Sequence, residues 1–337
     1  MNWKVEPFGE LDGRPVEQIT LKNSAQCSMQ LLAYGATLRS FVLPSGLDVC
    51  LGYDTLDAYR TSDGYLGATI GRNSNRIGGA WMELDGHRFR LTSNEGRNQL
   101  HGGYRGFHAH LWEFEILENA VRFSRVSPDG EEGYPGTVQA AVTYQLLDDG
   151  FAIEYAAETD RDTLVNLTNH SYFNLAGHGN GTVLDHILQM PAATQFLPVD
   201  AEKIPIGLLA PVTGTALDFL EPHAIGSRTD GALVLRPGDY DHAYALCGSG
   251  DRPVANLYCP RTGVALTVRT NMDSVQLYTA GGLAQRPGKH GAGYGPFSGI
   301  CLETQRYPNA IQVPAFPSPL LRAGERYLHR SSFRFCW

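Results

Sequence analysis

Two widely separated side chains could exchange protons with a bound ligand. His170 lies in residues 165–177, among asparagine, threonine and tyrosine side chains, without the closely spaced cysteines or histidines of a metal site. A free imidazole titrates near about pH 6.5, so it can donate a proton close to neutral pH. Glu303 lies in the apolar run 298–305, where burial of an inward-facing carboxyl would raise its pKa and make it a better base. A satisfied structural histidine and a solvent-facing glutamate are the alternatives that stay open.

Segments 71–77 and 98–103 supply further polar groups. Asn75 offers an amide and Arg76 a planar guanidinium with several donors, and both suit neighbouring hydroxyl groups on one ligand. Arg72 could act in the same way, but we interpret it as structural. His101 precedes two glycines, which would let the backbone approach a ligand closely. An ordinary glycine turn is the alternative for His101.

Two more candidates lie in the last third of the chain. The carboxylate of Asp241 could accept hydrogen bonds from two hydroxyl groups of a ligand, and a turn residue that bonds its own backbone is the structural alternative. Gln276 alternates with apolar neighbours in residues 275–279, so it would face one side of a strand.

The composition restricts the class of ligand. The chain has 337 residues, with 27 Lys and Arg against 35 Asp and Glu, which gives a net charge of −8. This balance argues against binding nucleic acid, because clustered basic residues bind a phosphate backbone. No window approaches the ~18 apolar residues that cross a bilayer, so we expect no membrane partner. Neutral ligands rich in hydroxyl groups fit this charge better than phosphorylated ones.

The N-terminus and the cysteines indicate a cytoplasmic protein. The first eight residues carry charges and lack the apolar core of a signal peptide. The six cysteines show no Cys-x-x-Cys spacing, so neither a zinc site nor a disulfide framework is indicated. We therefore expect free thiols in a reducing compartment.

Short alternating segments dominate the chain and predict an all-β fold. Apolar and polar residues alternate in residues 28–34, 120–126, 137–144 and 151–155, and turn-forming residues follow each run. Residues 147–151 are predicted to form a hairpin turn in which Asp149-Gly150 supplies the positive φ angles of a tight reversal, and residues 55–59 could form a short helix. The chain shows no linker and no internal repeat, so we expect a single domain over residues 1–337.

Five motifs, in the same chain order, resemble those of the aldose 1-epimerase family. They are Gly-Arg-Asn-Ser-Asn-Arg-Ile at 71–77, Asn-Gln-Leu-His-Gly-Gly at 98–103, the segment around His170, Asp-His-Ala at 241–243 and Cys-Leu-Glu-Thr-Gln at 301–305. The C-terminal stretch 314–327 is similar too, so the resemblance covers nearly the full chain. It implies a large antiparallel β-sandwich of the galactose-mutarotase-like (supersandwich) type, with a sugar held on a concave face.

The resemblance also implies an activity and the residues that perform it. An aldose 1-epimerase interconverts the α and β anomers of free aldohexoses such as galactose and glucose by acid/base ring opening. Glu303 would be the base and His170 the acid, which predicts a bell-shaped pH profile with an acidic limb from the carboxylate and an alkaline limb from the imidazole. The implied substrate-binding residues are Asn75, Arg76, His101, Tyr172, Asp241 and Gln276.

The resemblance implies no metal and no other cofactor, and the expected partner is a free monosaccharide bound by a monomer or a weak homodimer. The chain departs from the family pattern at Ala280-Gly281-Gly282-Leu283, where the family commonly has Gly-Asn-Phe-Leu. Because this segment would line the site, the preferred sugar stays open.

Three other functions remain as alternatives. A glycosidase would use two carboxylates, and Glu303 with Asp241 could form that pair. A non-catalytic carbohydrate-binding protein would need the aromatic and amide side chains but not Glu303 and His170 together. An epimerase of sugar phosphates would need a basic cluster, and the sequence shows none.

Overall fold

Antiparallel strands make up most of the regular structure, in a computed structural model that describes residues 2–234 and 236–337. The strands up to residue 100 are β1 (Asn2–Leu11), β2 (Arg14–Lys22), β3 (Ser28–Leu32), β4 (Thr37–Val42), β5 (Thr69–Ile70), β6 (Arg76–Ile77), β7 (Trp81–Leu84), β8 (His87–Arg90) and β9 (Gln99–Leu100). Those up to residue 224 are β10 (Glu113–Ile116), β11 (Ala120–Ser127), β12 (Val138–Leu147), β13 (Gly150–Thr159), β14 (Thr163–Leu164), β15 (Thr168–Asn169), β16 (Ile187–Gln189), β17 (Gln195–Phe196), β18 (Ala210–Pro211) and β19 (His223–Ala224). The last are β20 (Asp241–Ala245), β21 (Arg252–Tyr258), β22 (Ala265–Thr270), β23 (Ser274–Tyr278), β24 (Arg286–Pro287), β25 (Gly293–Tyr294), β26 (Cys301–Gln305), β27 (Leu320–Leu321) and β28 (Tyr327–Cys336).

Helical structure is confined to short segments. Helix α1 (Leu56–Thr61) begins after Thr55, whose side chain accepts a hydrogen bond from the backbone N–H of Ala58 and so caps the first turn. This confirms the short helix expected near residues 55–59. Single 3₁₀ turns occupy Gly78–Ala80, Phe107–Ala109, Glu131–Gly133, Ile225–Ser227, Lys289–Gly291 and Ala310–Gln312. In the described part of the chain, no helix has the length and apolar character needed to span a membrane.

Three large sheets form the sandwich. Nine strands pair in the order β10-β11-β12-β13-β28-β22-β21-β16-β19, four in the order β1-β2-β3-β4, and five in the order β18-β17-β20-β23-β26. Phe41 of β4 stacks on Phe335 of β28, with ring centroids 4.9 Å apart, and lies 5.1 Å from Phe151 of β13. These contacts pack the four-stranded sheet against the nine-stranded sheet. The all-β, antiparallel sandwich expected from the sequence is confirmed.

One hydrophobic cluster connects the sheets. Its residues come from nearly the whole length of the sequence, from Ile19 to Phe335. It includes Ile19 of β2, Val275 and Leu277 of β23, and Phe335 of β28, each at most 4% exposed. Burial of this shared apolar surface supplies the main driving force for assembling the sandwich. The single domain over residues 1–337 stays a prediction, and this continuous core supports it.

The predicted hairpin forms, but its glycine has a different role. Strands β12 and β13 pair from Val138–Thr159 to Leu147–Gly150, so Asp148 and Asp149 form the two-residue loop. Neither aspartate nor Gly150 has a positive φ angle. A Cβ atom on Gly150 would lie 2.0 Å from the carbonyl oxygen of Phe333. The glycine therefore permits close approach of β28. The hairpin turn predicted at residues 147–151 is confirmed, and the prediction that Asp149-Gly150 supplies positive φ angles was wrong.

Arg72 is structural, as we interpreted it from the sequence. Its side chain is buried and donates to several acceptors, of which the carbonyl of Gly136 is nearest at 2.7 Å. The others are the hydroxyls of Ser127 and Thr163 and the carbonyls of Pro128 and Pro135. These bonds satisfy the buried guanidinium and tie the loop after β5 to the segments beside β11 and β14.

Candidate active site

Strand register brings three polar residues to one face of the five-stranded sheet. Gln276 on β23 is opposite Glu303 on β26, and Tyr278 is opposite Cys301. Side chains alternate along a strand, so Val275, Leu277 and Leu302 join the core while Gln276, Cys301 and Glu303 face the other way. Strand β20 pairs with the far side of β23, where Asp241 is opposite Tyr278.

His170 reaches this face from another part of the fold. It directly follows β15, and its backbone N–H donates to the carbonyl of Ala68 at 2.9 Å. Its Nε2 lies 3.7 Å from Oε1 of Glu303, and its Nδ1 lies 3.4 Å from Sγ of Cys301. The ring stacks on Tyr172, with centroids 5.0 Å apart and planes inclined by 15°. The fold therefore holds the imidazole of His170 beside the carboxyl of Glu303, although the two residues are far apart in the sequence.

All eight site residues expected from the sequence line one cavity of about 350 Å³. They are Asn75, Arg76, His101, His170, Tyr172, Asp241, Gln276 and Glu303. A cavity of this size that combines aromatic rings with converging polar groups suits a small polar ligand. The roles of the individual residues remain predictions.

A chain of hydrogen bonds orders the polar wall of the cavity. The amide nitrogen of Asn75 donates to Oε1 of Gln276 at 3.1 Å, and the amide nitrogen of Gln276 donates to Oδ1 of Asp241 at 2.7 Å. Lys203 Nζ lies 2.6 Å from Oδ2 of Asp241. Each side chain in this chain is fixed by its neighbour, so the wall presents oriented donors and acceptors before a ligand arrives.

The guanidinium of Arg76 has fewer free donors for a ligand than the sequence suggested. Its Nε and Nη2 donate to the two carboxylate oxygens of Glu95, each at 2.7 Å. This bidentate pair occupies one edge of the guanidinium. What remains for a ligand is the other edge of the guanidinium, which the pair with Glu95 orients, and the role of Arg76 in substrate binding stays a prediction.

The glycines after His101 serve packing against protein. A Cβ atom on Gly102 would lie 2.1 Å from the carbonyl oxygen of Gly71, and one on Gly103 would lie 2.1 Å from the carboxylate of Glu132. Both glycines have positive φ angles, and His101 itself has a φ of 54°. The tight turn seats His101 at the cavity wall, but its glycines do not approach the cavity, contrary to the expectation from the sequence.

The ligating atoms of His101, His170 and Glu303 lie within 4.8 Å of one another, a set that could bind a transition metal. The surrounding hydrogen bonds do not suit that role. A metal-binding histidine usually donates its other ring N–H to an acceptor, whereas Nδ1 of His101 accepts a hydrogen bond from the backbone N–H of Asn75 at 3.2 Å. The neutral His101 ring therefore carries its proton on Nε2 and is arranged to donate it to a ligand oxygen.

Burial shifts the pKa values of Glu303 and His170 in opposite directions. Burial raises the pKa of Glu303 well above its usual range; the charge of Asp241 adds to the increase, and Arg76 opposes it. Burial lowers the pKa of His170 to about 4. Oε2 of Glu303 has no hydrogen-bond partner among the described residues. When the pair holds a single proton, that proton is therefore on the carboxyl group, beside a neutral imidazole.

Asp241 behaves differently from Glu303. Burial would raise its pKa, but the charges of Lys203 and Arg76 and the hydrogen bond from Lys203 outweigh burial, so the pKa is lowered. The surroundings of Asp241 thus favour its ionised form, whereas burial favours the protonated form of Glu303, whose Oε2 lacks a hydrogen-bond partner in the described part of the chain. Different environments separate the roles of the two groups.

Several residues of the cavity wall had no signal in the sequence. Lys203 lies in a turn where Asp200 accepts from the backbone N–H groups of Glu202 and Ile204. Tyr65 stacks on His170 at 5.9 Å. Tyr278, Gly281, Gly282 and Leu283 complete this side of the wall. Only the tertiary contacts identify Lys203, Tyr65 and Tyr278. The positions of Gly281, Gly282 and Leu283 confirm the expectation that segment 280–283 would line the site.

Comparisons with known proteins agree with this architecture. The family model described as "Aldose 1-epimerase" matches residues 17–334. A galactose mutarotase of Rattus norvegicus is 41% identical over 336 residues, covering 97% of each chain, and an aldose 1-epimerase of Escherichia coli (strain K12) is 35% identical, covering 96% of each. The crystal structure of the GalM/aldose epimerase homologue from C. elegans superimposes with a TM-score of 0.87 at 30% identity, covering 95% of this chain and 98% of that one. The chain belongs to the aldose 1-epimerase family.

Proposed function

We propose that the protein is a mutarotase that interconverts the α and β anomers of free aldohexoses, with Glu303 as the base and His170 as the acid. The observation that carries this proposal is the 3.7 Å pair of Glu303 Oε1 and His170 Nε2 on the wall of a polar cavity. The reaction needs one group to take a proton from the anomeric hydroxyl and another to supply one to the ring oxygen.

The proton steps balance within this pair. Ionised Glu303 takes the proton of O1 while Nε2 of protonated His170 gives a proton to O5; the C1–O5 bond breaks and a C1=O1 carbonyl forms. Rotation about C1–C2 then presents the other face of the carbonyl. Closure returns the O5 proton to His170 and the Glu303 proton to O1. The pair ends with the single proton that it held at the start.

The pKa shifts fit this exchange. The neutral pair, with the proton on Glu303, is the state that burial favours, and it is also the state left after ring opening. The ion pair, with the proton on His170, contains the same number of protons. Burial makes the separate charges of the ion pair costly, which offsets the preference that a carboxylate and an imidazolium have in water and helps to bring the two states of the pair close in energy.

The charges around the cavity favour a neutral sugar. Its cationic side chains Arg76, Lys203 and Arg236 are paired with Glu95, Asp241 and Asp239 at 2.6–2.7 Å. A phosphate or carboxylate on the substrate would have to compete with these carboxylates. The wall therefore suits hydroxyl groups, which bond to the paired donors and acceptors without separating them.

The glycosidase alternative fits less well. Both oxygens of Asp241 are engaged, one by Gln276 and the other by Lys203, so this carboxylate is poorly placed to attack an anomeric carbon. The alternative of a binding module leaves Glu303 unexplained. Its buried Oε2 finds no hydrogen-bond partner within residues 2–234 and 236–337, which costs stability, and such groups cluster at catalytic sites.

We expect the purified protein to accelerate the optical-rotation change of freshly dissolved α-glucose and α-galactose, and EDTA treatment should leave the rate unchanged. The reason is that the proposed acid and base are both protein side chains. In addition, Nδ1 of His101 accepts a hydrogen bond from Asn75, whereas a metal-binding histidine usually donates from its second ring nitrogen. Polarimetry at catalytic protein concentrations measures the rate. An untreated protein that fails on several aldoses would refute the activity, and release of a chromophore from an aryl glycoside would point to the glycosidase.

Asp241→Ala should raise KM by about 10- to 100-fold, the range for loss of hydrogen bonds to a charged group, with a much smaller change in kcat. The substitution removes a hydroxyl acceptor but leaves the Glu303–His170 pair in place. Asp251→Ala, which removes a surface carboxylate paired with Arg269, is the control and should change neither parameter. A fall in kcat as large as the rise in KM would place Asp241 in the chemistry instead.

The charge and the cysteines bear on the cellular setting and the oligomeric state. We propose a cytoplasmic protein that acts as a monomer or a weak homodimer on a free monosaccharide, without nucleic acid, membrane or cofactor. The net charge of −8 and the thiols of all six cysteines, which are free, support this proposal. Sedimentation at micromolar concentration tests the oligomeric state.

A further inference from the structure

The catalytic imidazole has a partner on each ring nitrogen, and both partners come from one strand. Cys301 and Glu303 are two positions apart on β26, so their side chains share a face. Nε2 of His170 faces Oε1 of Glu303 at 3.7 Å, and Nδ1 faces Sγ of Cys301 at 3.4 Å. The proposed chemistry uses Nε2, and it leaves the contact at Nδ1 without an assigned role.

The proton cycle sets a requirement for the group at Nδ1. When His170 is protonated, both nitrogens carry hydrogen. After Nε2 has given its proton to O5, the neutral ring must keep the other proton on Nδ1, so that Nε2 can accept a proton again on ring closure. The partner at Nδ1 must therefore accept a hydrogen bond throughout the cycle. A carboxylate would also stabilise the imidazolium and slow its deprotonation, whereas sulfur is a weak acceptor.

We propose that Cys301 is a positioning residue whose sulfur accepts a hydrogen bond from Nδ1 of His170, directing Nε2 at the sugar while adding little stabilisation to the protonated ring. This inference rests on the proposed mutarotase function. The thiol is fully buried and stays in its protonated form, because burial raises the pKa of Cys301 well above its usual range. Cys301 therefore orients the imidazole without placing a charge beside it.

The other groups around His170 set the background for this effect. On β26 the ring faces Glu303 and Cys301, and the charge of Asp241 on β20 also acts on it. Neutral His101 lies 5.3 Å away between ring centroids. The rings of Tyr65, Tyr172 and Tyr278 also pack near it. His108, whose pKa burial lowers to about 4, is a further titratable group that interacts electrostatically with His170. None of these groups replaces the sulfur at Nδ1, so a change at Cys301 should register in the titration of His170.

The test compares Cys301→Ala with Cys301→Ser. The alanine variant removes the acceptor, and we expect kcat to fall by about 10-fold, the effect of one hydrogen bond, with KM nearly unchanged. The serine variant supplies a stronger acceptor of similar size. It should recover most of kcat and move the acidic limb of the pH profile to higher pH, because the hydroxyl stabilises protonated His170. Cys259→Ala, a buried cysteine outside the cavity, is the matched control and should leave the kinetics unchanged.

A purely structural role for Cys301 would lower the stability of both variants without shifting the acidic limb, and that result would overturn the proposal. NMR titration of the His170 ring, assigned with His170→Asn, supplies a readout that does not depend on turnover. A higher pKa of His170 in the serine variant than in wild type supports the positioning role even if no sugar is turned over. Identical His170 titrations in wild type and both variants would refute it, whatever the activity.

Discussion

Glu303→Gln should lower kcat by at least about 10²-fold with a much smaller effect on KM, because glutamine keeps the shape of the side chain but cannot take the O1 proton. The carboxyl is 2% exposed, and no other described carboxyl approaches Nε2 of His170 as an ion-pair partner. Polarimetric kinetics with α-glucose and α-galactose measure both parameters. Glu154→Gln, which changes a surface carboxylate paired with Arg330, is the matched control and should be fully active.

The same substitution should leave the fold at least as stable as wild type. A carboxyl whose pKa is raised in the folded state destabilises that state at pH values above its unfolded pKa, near about 4.3. Burial raises the pKa of Glu303, so this penalty is present at neutral pH and disappears as the pH falls below the unfolded pKa. Glu303→Gln should therefore unfold at an equal or higher temperature at pH 7, and this gain in stability should shrink toward pH 4.

A Glu303→Gln variant that keeps more than half of wild-type kcat would exclude Glu303 as the base.

His170→Asn should also lower kcat by at least about 10²-fold, because asparagine can hydrogen-bond O5 but cannot deliver a proton. The wild-type profile of kcat/KM should be bell-shaped, since the pair works only with one proton. Toward acid, His170, whose pKa is about 4, gains a second proton while Glu303 keeps its own, and no base remains. Toward alkali, the pair loses its last proton as the pH passes the raised pKa of Glu303, and no acid remains.

The variant should therefore lose the alkaline limb and show only a rise of residual activity with pH as Glu303 ionises. His186→Asn alters a buried histidine outside the cavity and should keep both limbs. An alkaline limb that survives unchanged in an active His170→Asn protein would assign the acid to another residue, with His101 the first to examine.

The pKa shifts also reverse the assignment of the two limbs that we made from the sequence. The lower pKa belongs to the imidazole and the higher pKa to the carboxyl.

Local sequence was a reliable guide wherever a property depends on neighbouring residues. Alternation predicted β3, β11, β12 and β13, and the short helix α1 formed close to its expected position. The same local reasoning failed at Gly150 and at the glycines after His101. Those glycines were assigned to a turn and to a ligand, but each permits close contact with a distant backbone or side chain. A glycine in the sequence indicates a crowded position or an unusual backbone conformation, but it does not show which residue lies beside it.

The sequence by itself determined the strand pattern, the family and the residues that we propose as the acid, the base and the polar wall. Tertiary structure alone decided how these groups are placed and which neighbours they have. His170 contacts Cys301, on the same strand as Glu303, although the two residues are 131 positions apart in the sequence. Asn75 donates a hydrogen bond to Gln276, which is 201 positions away. Burial reversed the order of the pKa values of Glu303 and His170. Glu95 pairs with one edge of the Arg76 guanidinium, and Lys203 pairs with Asp241. Desolvation and ion pairing depend on every neighbour in space, and a linear pattern carries no record of those neighbours.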